Sequence, residues 1–169
     1  MPMINILVLI IIIILAVTIN AGFDFINSKD TFSFEKFFND INIPIVTLSS
    51  GGNKLNFLLD TGSTNSHISK KASKLLVGTV SNTSLSCVTS MGTNEDINKA
   101  VYTTLNYNNK EYTISLFINK GLDNAFSDTD RTGGITIHGI LGSDFINKYS
   151  CVIDFNKYVV RYGKRNKTI

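Results

Sequence analysis

Residues 55–69 read Leu-Asn-Phe-Leu-Leu-Asp-Thr-Gly-Ser-Thr-Asn-Ser-His-Ile-Ser, and the organisation of the whole chain follows from them. Leu55, Phe57, Leu58 and Leu59 form an apolar strand that runs directly into Asp60, Thr61, Gly62 and Ser63, and a second short strand follows. A carboxylate at the end of a buried strand is costly unless something pairs with it or hydrogen-bonds it. Thr61 and Ser63 supply hydroxyls close by, and Gly62 lets the backbone turn tightly and present amides. Such a stretch suits a held, reactive carboxylate better than a surface turn. Three residues alone are a weak motif, so the surrounding sequence has to carry the reading.

The second informative stretch is at residues 138–155, His-Gly-Ile-Leu-Gly-Ser-Asp-Phe-Ile-Asn-Lys-Tyr-Ser-Cys-Val-Ile-Asp-Phe. With the apolar-Asp-Thr-Gly-Ser at 59–63 and the apolar-apolar-Gly at Ile140-Leu141-Gly142, the sequence resembles the retropepsin-like aspartic proteases, the single-domain relatives of pepsin. The resemblance spans about Ile43 to Tyr162. It implies an all-β, closed barrel or sandwich with one short helix after the Ile-Leu-Gly motif. It implies that Asp60 is the catalytic carboxylate and that Ile140, Leu141 and Gly142 form a strand crossing beneath it. By the same resemblance Thr61 bonds across to a partner strand, and the Ser63 hydroxyl bonds the outer oxygen of the carboxylate. A mobile hairpin between the two motifs would grip substrate. Order and glycine content place its tip at Met91-Gly92-Thr93.

The pattern of apolar residues agrees with a β fold. Ile43 to Leu48 reads as a strand with Pro44 near its start, and Gly51-Gly52 as the hairpin turn into the strand ending at Asp60. Ser84 to Ser90 reads as another strand. Val101, Thr103, Leu105 and Tyr107 alternate with polar neighbours, as do Tyr112, Ile114, Leu116 and Ile118, with Asn108-Asn109 as the turn between. Lys70 to Leu76 and Ser143 to Tyr149 suit short helices, and residues 120–134 suit a loop. Asp128-Thr129-Asp130 lacks both the apolar strand and the glycine of a second catalytic motif. Asn156-Lys157 turns the last hairpin.

At 169 residues the chain has room for one domain, expected at 43–162, with a basic tail at 163–169. Sixteen Lys and Arg against thirteen Asp and Glu are interspersed, which gives no basic stripe for nucleic acid. Met1 to Phe23 carries no charged side chain, and Ile6 to Val17 is unbroken aliphatic. Residues 1–22 therefore read as a hydrophobic helix that is either a signal peptide or a single membrane anchor. The absence of Lys and Arg ahead of it favours the anchor, and Ala21-Gly22 as a cleavage point favours the signal peptide. Either sends the chain to or across a membrane. Residues 23–42 form a Phe-rich linker, which would pack on the membrane or the domain, or serve as a processed pro-segment.

Cys87 and Cys151 sit far apart in sequence and could pair in an exported protein, but Cys151 alternates with Ile153 and Phe155 and reads rather as a buried core thiol. Cys87, Cys151, His67 and His138 lack ligand spacing, so neither metal nor cofactor is expected. His138 reads as a structural neighbour of the crossing strand. Asn82-Thr83-Ser84 and Asn166-Lys167-Thr168 match glycosylation acceptors.

Hydrolysis of a peptide bond by carboxylates takes two of them, one accepting a proton from water and one donating to the carbonyl oxygen. The chain has a single Asp-Thr-Gly, so the expectation is a homodimeric aspartic endopeptidase in which Asp60 meets Asp60 of a second copy, with polypeptide as substrate. Two other readings stand beside it. One is a non-catalytic, membrane-tethered β-barrel that binds peptides or dimerises. The other is a secreted structural or adhesive β-domain with Asp60 as a turn carboxylate, which leaves Ile140-Leu141-Gly142 without a role.

Overall fold

Asn108 and Asn109 both have positive φ, as do Gly51 and Gly52, so both tight hairpins turn where residues tolerant of the left-handed region stand in the sequence. These turns set the register of the strands on either side. The computed structural model describes residues 31–88, 94–126 and 134–163. Along the chain these form β1 (Thr31–Ser33), α1 (Glu35–Ile41), β2 (Ile45–Ser50), β3 (Asn53–Leu59), β4 (His67–Ser69), α2 (Lys70–Ser73), β5 (Gly78–Val88), β6 (Asn94–Tyr107) and β7 (Lys110–Asn119). Then follow α3 (Gly121–Ala125), β8 (Gly139–Leu141), α4 (Ser143–Lys148), β9 (Cys151–Asp154) and β10 (Val159–Tyr162).

The larger sheet has the order β2-β3-β8-β4-β7-β6-β5, and β2 also pairs with β6 at Ser49 and Asn106. That extra pairing closes β2, β3, β8, β4, β7 and β6 into a six-stranded barrel, with β5 added outside on β6. The period-two pattern explains the interior. Val101, Leu105, Ile114 and Leu116 point inward and are buried, with Val101 opposite Leu116 and Leu105 opposite Tyr112. Ile45, Val46, Leu48, Leu55, Phe57 and Leu59 fill the β2–β3 side.

A second, three-stranded sheet has the order β1-β10-β9. It brings the segment before Ile43 into the folded unit, which begins at Phe32. Phe32 is 0% exposed and Phe34 1%. The Phe32 ring lies 5.0 Å from Tyr107 and Tyr112 and 5.1 Å from Tyr162. Phe34 and Phe38 both pack on Phe155 and Tyr158. Residues 32–42 are thus a built part of the domain. Aromatic rings of this size are stable where apolar area is removed from water, and this hairpin offered the place.

Other departures from the sequence reading are local. β5 starts at Gly78, well ahead of Ser84; its first half is polar because it edges the sheet and has little core to face. Within 120–134, α3 forms because the Asn119 side-chain oxygen accepts the N–H groups of Gly121 and Leu122. The short helix after Gly142 is present as expected, together with α1, α2 and α3. Among the described residues no helix is long and apolar enough to cross a membrane. The apolar stretch at 1–22, the Met91-Gly92-Thr93 tip and most of the basic tail lie outside the described residues.

Candidate active site

β3 ends at Leu59, whose N–H donates to the Pro44 carbonyl, and Asp60 then donates its own N–H to Leu141 at 3.1 Å. The carboxylate is therefore hung from two strands at once. Its Oδ1 accepts the Gly62 N–H at 2.9 Å, and the Ser63 N–H returns to the Asp60 carbonyl at 3.2 Å. Asp60 is half-buried, whereas Thr61 and Gly62 are exposed. A fixed carboxylate with one face open to an approaching molecule can take or give a proton there.

Beneath it, β8 runs between β3 and β4, parallel to the first and antiparallel to the second. Leu59 stands opposite Leu141, and His67 opposite Ile140. The crossing is tight enough to dictate glycine at two positions. A Cβ on Gly142 would sit 2.6 Å from the Asn65 carbonyl oxygen and 2.7 Å from that of Ser63. A Cβ on Gly139 would sit 2.4 Å from the His67 carbonyl oxygen. The strand lies between the two strands that the Asp60–Ser66 loop joins and packs on the loop's backbone, and that close approach is why the second motif ends in glycine. Ile140 is half-buried, while Leu141 is fully enclosed.

The start of α4 grips the same loop. Ser143 N–H donates to the Ser63 carbonyl at 2.8 Å, and its hydroxyl donates to the Thr61 carbonyl at 3.0 Å. The Asp144 N–H reaches the Thr64 carbonyl, and its Oδ1 accepts the Ser66 hydroxyl at 2.6 Å. Ser66 in turn accepts the Gly142 N–H at 2.9 Å. Sequence reading passed over Ser66 and Asp144. The available signal was an acidic residue in the first turn of a helix, which often serves as a local cap.

The structure brings together Asp60, Thr61, Gly62, Ser63, Ile140, Leu141 and Gly142 as the sequence suggests, with one change of detail. The Ser63 hydroxyl donates to the Asn65 carbonyl at 2.7 Å, which stabilises the turn, and it is the Gly62 amide that holds Asp60 Oδ1. His138 accepts the Asn56 N–H on Nδ1 at 2.9 Å and returns its own N–H to the Asn56 carbonyl, which makes it a latch between β3 and the approach to β8.

No protein-family model matches the sequence, and no curated protein matches it. Among solved structures the chain is similar to the EIAV protease complexed with the inhibitor HBY-793. The two are 16% identical with a TM-score of 0.45, over 64% of this chain and 88% of that one.

β5 and β6 pair as a long antiparallel hairpin out to Val88 and Asn94. A bulge sets Thr83 and Ser84 against Asn98 and bends the hairpin partway along. A separate groove of about 1090 Å³ is lined by Lys36, Phe37, Lys54, Asn56, Tyr107 and His138 among others. Asp60 does not line it, and it is open and polar.

Burial raises two groups near β9 and β10. The Cys151 thiol is pushed up to about 12 by desolvation, and the Tyr112 hydroxyl is raised by burial and then by the neighbouring Tyr162. Both stay protonated across the neutral range.

Proposed function

We propose that the chain is an aspartic endopeptidase acting as a homodimer, each copy contributing its Asp60 to one site. The observation that carries this reading is the loop at 60–66. Its backbone packs closely on Gly142 at the end of β8, and its carboxylate is tied on one side and open on the other. Two carboxylates in contact cannot both ionise, so the pair holds one proton between them. The ionised member takes a proton from water as its oxygen attacks the scissile carbonyl, and the protonated member gives its proton to the carbonyl oxygen. Collapse of the tetrahedral adduct breaks the C–N bond: the proton taken from water goes to the leaving amine, and a hydroxyl proton of the adduct returns to the other carboxylate. Thr61, exposed at the edge of the loop, is positioned to meet the second copy. The β5–β6 hairpin is the element suited to close over an extended polypeptide and exclude water. The apolar segment ahead of the domain would hold it at a membrane or send it across one.

The test is Asp60→Asn, which removes the proton traffic and keeps the shape. The variant should fold and dimerise like the parent and cleave no peptide. Turnover within about tenfold of the parent would remove Asp60 from the chemistry. The parent should also give a bell-shaped pH–rate profile, because the reaction needs one carboxylate ionised and one protonated. Activity that rises steadily into the alkaline range would point to another mechanism.

A further inference from the structure

Ser66 is fully buried, at 0% exposure, and its hydroxyl has two partners that fix its direction. The Gly142 N–H, at 2.9 Å, can only donate, so Ser66 Oγ accepts there. Its own proton must then go to Asp144 Oδ1, at 2.6 Å. The same Oδ1 also accepts the Phe145 N–H at 2.8 Å. Ser66 further holds β7 through its carbonyl, which accepts the Phe117 N–H at 3.0 Å. One hydroxyl thus ties the end of the Asp60 loop to the crossing strand and to the first turn of α4. Asp60 itself hangs from the residue before Gly142, through its N–H on Leu141. Any slip of Gly142 against the loop is passed on directly to the carboxylate.

We propose that Ser66 and Asp144 are a positioning pair that sets the orientation of Asp60, with Asp144 acting as a hydrogen-bond acceptor and not as a charge. The proposal rests on the endopeptidase reading above. Ser66, being fully buried, has no water to fall back on, so loss of its hydroxyl or of the acceptor on half-buried Asp144 leaves an unpaired polar group and lets the crossing shift. Displacements near 1 Å at a reacting group cost about 100-fold in rate. Neither residue is placed against substrate, so the loss should fall on kcat and leave KM in place.

The experiment compares Ser66→Ala, Ser66→Thr, Asp144→Asn and Asp144→Glu with the parent, scoring folding, kcat, KM and the pH–rate profile. Ser66→Ala should lose about 100-fold in kcat at nearly unchanged KM, and Ser66→Thr, which keeps the hydroxyl, should recover most of it. Asp144→Asn keeps the accepting oxygen in place and should stay within about threefold of the parent with an unchanged pH profile. Asp144→Glu keeps the charge but moves the oxygen by one methylene, and should be impaired about as much as Ser66→Ala. Should Ser66→Ala not fold, the order of the two Asp144 variants decides. Glu active and Asn inactive would overturn the proposal, as would a folded Ser66→Ala with parental kcat. A folded, dimeric parent that cleaves nothing would instead overturn the endopeptidase reading itself.

Discussion

Truncating Phe32 to alanine tests whether the segment before Ile43 is structural. The side chain is 0% exposed, and its ring touches Tyr107, Tyr112 and Tyr162 at 5.0–5.1 Å and Phe145 at 6.2 Å. These neighbours cannot easily collapse into the gap. Tyr107 is held by the Ser33 N–H, and Phe145 is rooted in α4, which follows the crossing beneath Asp60. Loss of the ring should therefore cost about 3–5 kcal/mol, transfer and cavity together. That is a large share of the roughly 5–15 kcal/mol that keeps a domain folded. Thermal unfolding followed by near-ultraviolet circular dichroism should drop by about 10–20 °C for a domain of this size. Phe37→Ala, at the open groove, serves as the control and should shift stability by less than about 1 kcal/mol. A Phe32→Ala protein that melts within a degree or two of the parent would refute the placement of β1 in the core.

Gly142→Ala puts a methyl group within 2.7 Å of three backbone atoms of the Asp60 loop, so the loop must open. We expect a cost of about 1–3 kcal/mol or more and near-complete loss of peptidase activity, read by calorimetry and by peptide cleavage. Cys151 should resist alkylation at pH 8 in the folded protein, as mapped by mass spectrometry, because burial pushes its thiol up to about 12. The unfolded chain gives up that proton near 9.0, so it binds fewer protons than the folded one between there and about 12. Stability should therefore fall as pH rises through that window, with Tyr112 adding in the same direction, and Cys151→Ala should flatten part of the slope.

The parts of the molecule that repeat with a short period, or turn on special residues, were legible in the sequence. β6 and β7 followed from alternation, the Asn108-Asn109 and Gly51-Gly52 turns from residues that tolerate positive φ, and the strand leading into Asp60 from apolar Leu55, Phe57, Leu58 and Leu59. The crossing at Ile140-Leu141-Gly142 was legible only through its resemblance, because its cause is three-dimensional: Gly142 is required by backbone atoms some eighty positions earlier. The same limit hid Ser66 and Asp144, whose pairing spans 78 residues, and hid the role of Phe32, whose partners lie at 107, 112, 145 and 162. The Ser63 hydroxyl, whose role came only from the resemblance, donates to the Asn65 carbonyl two residues on, a local turn bond that the motif itself does not specify.

On the proposed mechanism each site needs two Asp60 carboxylates and each chain brings one. The most direct measurement uses a tandem fusion of two domains whose halves pair only with each other, with Asp60→Asn in one copy. Peptide cleavage by this single-variant fusion is compared with that of the parent fusion and the double variant. One substitution should be nearly as damaging as two, because the remaining carboxylate has no partner to share the proton. A single-variant fusion that keeps about half the parental activity would contradict it, since each domain would then be working alone.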